Sequence, residues 1–214
     1  MASWHYAFFF PGTGKTLEPA SGIEVFERSG LEIDTAIRPA VEIDDEGHLE
    51  YGDQVKVGSV SEIRTRLRDA EQLAFECRNH ELLFSCNFAT EYSNPYVMIG
   101  WSRRLFISLP SNKQESYWHM LRQFAQQINA THAIVVTDPP DYFEDRFLEI
   151  DGQRCLDRFM PSGREYEISS VWRSVESSEA VPEGLEGFDM QVERDGFRVY
   201  ESRRPIVSGV APDQ

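Results

Sequence analysis

Six carboxylates crowd one stretch of the chain, at Asp138, Asp141, Glu144, Asp145, Glu149 and Asp151. Acids at this density can hold a hard cation and activate water, the chemistry of metal-dependent phosphoester or glycosidic hydrolysis. They follow an apolar run at 133–137, and the end of a buried strand is where an α/β catalytic site sits. The only basic residue among them is Arg146, which is too little for an anion clamp. Pro139-Pro140 followed by acids also describes a solvated loop turned toward another protein. That second reading fits better, because Tyr142 and Phe143 lie among the acids. Aromatics ringed by polar residues make binding hot spots. Asp138, Asp141, Tyr142, Phe143, Glu144 and Asp145 are therefore a candidate partner contact. Asp44, Asp45 and Glu46 are a second one.

Other motifs are incomplete. Gly12-Thr13-Gly14-Lys15-Thr16 follows an apolar strand and resembles the end of a phosphate loop. The full pattern requires a glycine where this chain has Phe9, and a helix opening directly after the lysine. Leu17-Glu18-Pro19-Ala20-Ser21-Gly22 reads as a break instead, so an ordinary strand-end turn is expected. Cys77, His80 and Cys86 offer three zinc-type ligands with no fourth at short spacing. Cys86 reads better as a small hydrophobe in a strand. No nucleophile elbow accompanies the three cysteines and five histidines. The sequence assigns no catalytic residue, cofactor or metal.

Charge carries the remaining functional signal. The chain has 36 acids against 21 Lys and Arg, a formal net of −15. Residues 1–60 carry 11 acids and 4 bases, net −7; residues 61–135 carry 7 and 8, net +1; residues 136–214 carry 18 and 9, net −9. Such a field repels nucleic acid and anionic membranes and attracts basic protein surfaces. The expected function is that of an acidic binding protein that inhibits a basic partner. A bacterial immunity protein that neutralises a cognate toxin, such as a nuclease, has this profile. A metal-dependent hydrolase using the 138–151 acids is the alternative, and a non-catalytic accessory subunit is the third reading. No apolar run reaches the ~18 residues of a membrane span, and three cysteines make no disulfide framework. A cytoplasmic protein is expected.

The elements that must position these residues point to an α+β fold: a mainly antiparallel or mixed sheet packed by two amphipathic helices. Ser59 and Glu62 have capping-box spacing, and Val60, Ile63, Leu67, Ala70 and Ala74 recur at helical period, which predicts a helix over about 60–76. Ser111 and Gln114 repeat that spacing ahead of Tyr117, Trp118, Leu121, Phe124, Ala125 and Ile128. A second helix over about 112–128 follows, with Asn129 able to end it. Strands are expected at 4–10, 82–88, 96–101, 104–109, 133–137 and 166–175. Alternation around Asp45-Glu46-Gly47 predicts one hairpin, and Arg194-Asp195-Gly196 predicts a C-terminal one. The runs 23–26 and 31–37 have no period that assigns them. Residues 1–204 read as one domain, with 1–58 as an N-terminal β subregion and 205–214 as a flexible tail.

Overall fold

A computed structural model describes residues 4–12, 14–43, 49–69, 71–89, 96–137, 167–176 and 188–202. Among these the fold is α+β. Eleven strands form one sheet, and every recorded pairing is antiparallel. The strands are β1 (Trp4–Pro11), β2 (Glu32–Ile43), β3 (Leu49–Tyr51), β4 (Val55–Lys56), β5 (Leu73–Arg78) and β6 (Leu83–Ala89). They continue with β7 (Tyr96–Ser102), β8 (Ala130–Thr137), β9 (Glu167–Ser174), β10 (Phe188–Arg194) and β11 (Phe197–Ser202). Their spatial order is β10-β11-β9-β8-β1-β7-β6-β5-β2-β3, with β4 also paired to β2. The aromatic run near the N-terminus becomes the central strand, and that explains its composition. Phe8 and Phe9 are wholly buried, and they point to opposite faces.

Four helices, α1 (Pro19–Arg28), α2 (Val60–Arg68), α3 (Arg103–Ser108) and α4 (Ser111–Gln127), accompany the sheet. One continuous core joins Ala7 and Phe9 of β1 to Phe26 of α1, Ile63 of α2, Phe106 of α3 and Phe124 of α4. No helix among the described residues is long and apolar enough to cross a membrane.

Several expectations hold in detail. α4 occupies the predicted span, and Asn129 ends it with a positive φ of 61°. Ser59 caps α2 by accepting from the Glu62 N–H, while Glu62 accepts from Gly58. The C-terminal hairpin turns at Asp195 (φ 49°) and Gly196 (φ 74°), the two positive values a tight twisted reversal requires. Ile43 pairs with Leu49, as the first hairpin requires.

Four expectations need correction. The helix from Val60 stops at Arg68, not 76, because Leu73, Phe75 and Cys77 are buried in alternation with outward Glu76 and Arg78. That period of two makes β5, and the helical recurrence of Ala74 was coincidental. Residues 103–108 form a helix rather than a strand at 104–109. Ser102 caps it through the Leu105 N–H, and only Phe106 turns inward. The Ser111–Gln114 capping box does not form; Gln114 donates instead to the Leu109 carbonyl.

The fourth correction is α1, which occupies a stretch whose Pro, Ser and Gly suggested a loop. Pro19 stands at the first helical turn, where its missing N–H costs nothing. Gly22 is there for closeness, since a Cβ would collide with the Phe124 ring and with Ile128 of the α4 C-cap. The glycine thus lets α1 lie directly on α4.

Candidate functional site

Beyond the C-terminal end of β1, a cleft of about 550 Å³ opens between the loop that follows the strand, the end of α4 and the β10–β11 turn. Its polar lining includes Lys15, Thr16, Gln126, Thr131, Ser174 and Glu176. Backbone hydrogen bonds tie the walls together. Glu18 N–H donates to the Ile128 carbonyl at 2.9 Å, and Val175 N–H to the Gly196 carbonyl at 2.9 Å.

The outer wall is held by an ionic clasp. Arg122 is almost fully buried, and its guanidinium lies 6.0 Å from the centre of the Trp172 ring. Its Nε donates to Asp195 Oδ2 at 2.8 Å, and its NH2 group donates to Glu115 Oε1 at 2.8 Å. His119 Nδ1 lies 2.9 Å from Asp195 Oδ1, and Gln126 donates to the Asp195 carbonyl at 2.7 Å. His119, Arg122 and Gln126 share one face of α4, as residues three and four apart must. Burial raises the Asp195 carboxyl pKa, but the hydrogen bonds from Arg122 and His119 outweigh it and the net shift is downward. His119–Asp195 has the form of a base–carboxylate pair. Asp195 is nevertheless committed to Arg122, and among the described residues no hydroxyl or thiol is recorded bonded to His119. Through Arg122 the pair works as a clasp between α4 and the β10–β11 turn.

The Gly-Lys-Thr stretch behaves as the turn its sequence suggests. Lys15 N–H closes onto the Gly12 carbonyl at 2.9 Å, with Gly14 at a φ of 72°. α1 opens only at Pro19, which has no N–H to offer, and the carboxylate of Glu18 stands at its N-terminus. A phosphate would meet negative charge there, not a ring of donors. Lys15→Ala should therefore leave the melting temperature unchanged, and calorimetry with ATP or GTP plus Mg²⁺ should register no binding. Saturable nucleotide heat that vanishes in Lys15→Ala would contradict this.

No family model matches this chain, and no curated protein matches it. The assignment of function therefore rests on its own residues.

The nine residues expected to contact a partner, Asp44, Asp45, Glu46, Asp138, Asp141, Tyr142, Phe143, Glu144 and Asp145, lie outside the described residues, as does Cys155. Glu149 and Asp151 of the hydrolase alternative lie outside them too. Their described neighbours can be placed. Ile43 is at the end of β2 nearest the cleft, close to one edge of the sheet. Thr137 pairs with His5 and Glu167 at the opposite end. Ile43 and Thr137, the last described residues before the two acidic stretches, thus lie at opposite ends of the sheet.

The remaining candidates separate. Cys77 and Cys86 are buried with their sulfurs 3.9 Å apart, while His80 is exposed. Burial pushes the Cys86 thiol pKa up, which keeps it protonated and inert. Among the described residues no three metal-ligating side chains converge. Tyr96 and Trp101, aromatics close to sequence breaks, are buried in the core.

Sequence reasoning missed the clasp. One signal was available: Arg122 interrupts the apolar stripe between Leu121 and Phe124, where a buried cation needs an acid. Nothing local named Asp195 as that acid.

Proposed function

We propose that this protein is an acidic binding protein that blocks a basic partner, in the manner of a bacterial immunity protein that neutralises a toxin in the cytoplasm. The supporting observation is the charge placement. Of the net −15, the described residues carry 20 acids and 15 bases, or −5, and the other residues carry 16 and 6, or −10. Several described acids are paired within the fold: Glu27 with Arg64, Glu62 and Glu71 with Arg66, and Glu115 and Asp195 with Arg122. Most of the imbalance therefore falls on residues outside the described strands and helices. Surplus acid speeds encounter with a basic surface, and a buried aromatic then sets the residence time.

Surface plasmon resonance against the partner, run across a salt series, tests this. Asp141→Lys with Asp145→Lys should slow association, and added salt should do the same to the native chain. Phe143→Ala should speed dissociation roughly 30-fold, the equivalent of about 2 kcal/mol. Association that ignores both salt and charge reversal would reduce the acidity to a solubility device. A divalent-metal-dependent hydrolysis lost in Asp141→Asn with Asp145→Asn would favour the enzyme instead.

A further inference from the structure

On the sheet face turned away from the helices, three basic side chains stand in one lateral row. His132 of β8 pairs with Arg173 of β9, and Arg173 pairs with Arg198 of β11. Alternation fixes their side, since Ala133, Trp172, Phe197 and Val199 belong to the helix-side core. Directly opposed residues on an antiparallel pair hold their side chains about 5 Å apart, and the two arginine charges so placed repel.

Arg173 is the anomaly. It is 3% exposed, and among the described residues its Nε has no hydrogen-bond partner. Its neighbours on that face, Val171 and Ile134, are apolar and buried. No described acid pairs with it. A buried guanidinium with no counter-charge among the described residues is a place that an anion would stabilise. Arg198 uses its Nε on Glu193 at 3.2 Å, which leaves its terminal amines available. Its side chain is 36% exposed, so the row runs from a buried end to an open one.

We propose that this row binds a phosphate-class oxyanion. The side-on edge of Arg173 and the terminal amines of Arg198 would donate to separate oxygens. Arginine forks match phosphate in this way, one oxygen to each guanidinium, while Glu193 keeps its single bond to Arg198 Nε. The proposal stands or falls independently of the acidic partner contact.

Thermal melting of the full chain tests the proposal, with inorganic phosphate replacing chloride at constant ionic strength. Phosphate should raise the melting temperature saturably, by about 2–4 °C. Arg173→Met should abolish the rise and melt no lower than the native chain in chloride, because it removes an uncompensated charge. Arg198→Gln should shift the titration to roughly tenfold higher phosphate. It is partly exposed and decides the matter if Arg173→Met does not fold. Lys15→Ala should respond like the native chain. The proposal is overturned if phosphate acts no differently from chloride, or if the native rise persists in both arginine variants. An equal rise with acetate would also overturn it, assigning the row to a carboxylate.

Discussion

Phe124→Ala should lower stability by about 3–5 kcal/mol, the largest single-residue effect expected in this fold. Phe124 is fully buried. Its ring stacks on Phe26 with centroids 4.8 Å apart, and meets Phe9 edge-on at 5.4 Å and Phe88 at 6.5 Å. One side chain thus bonds α4 to α1, to the central strand and to β6. Removing it leaves a cavity between α1 and the sheet that Gly22, with no side chain, cannot fill. Phe124→Leu keeps most of the volume and should cost under ~1.5 kcal/mol. Urea denaturation of the two variants checks the contrast. A loss below ~1 kcal/mol for Phe124→Ala would mean that this aromatic cluster does not carry the helix layer.

Asp195→Asn should cost about 3 kcal/mol, because it leaves the buried Arg122 with Glu115 alone. Asn tolerates the positive φ of 49° at this position, so the loss reports the charge and not the turn. The pH dependence has a defined sign. Hydrogen bonds from Arg122 and His119 hold the native Asp195 pKa below its unfolded value. Its contribution is therefore fully present above the unfolded carboxylate pKa, and is lost as pH falls through the lower native one. Native protein should lose stability on that acid limb faster than Asp195→Asn does. Parallel acid limbs in the two proteins would show that the clasp carries no charge-dependent stability. Loosening it should also raise hydrogen exchange at the Val175 N–H, since its bond to the Gly196 carbonyl forms one wall of the cleft.

The sequence by itself determined what depends on near neighbours. α4 and the start of α2 were legible because a helix repeats its buried face every three to four residues. The C-terminal hairpin was legible because Asp195-Gly196 is local chemistry for two positive φ values. Cys86 was legible as a core residue, and the Gly-Lys-Thr stretch as a turn, because a phosphate loop demands neighbours this chain lacks. The acidity, too, is a property of composition.

Tertiary structure alone decided the rest. Gly22 looked like a loop residue, and only the approach of Phe124 explains it inside a helix. Residues 73–78 carried both a helical and a strand period, and pairing with β2 and β6 chose the strand. The place of β1 at the centre of the sheet depends on partners more than 85 residues away, such as Val97 and Ala133. The Arg122–Asp195 clasp spans 73 residues, and the basic row of His132, Arg173 and Arg198 joins three strands. No local window holds both members of such contacts, because strand order, not sequence spacing, sets which charges meet.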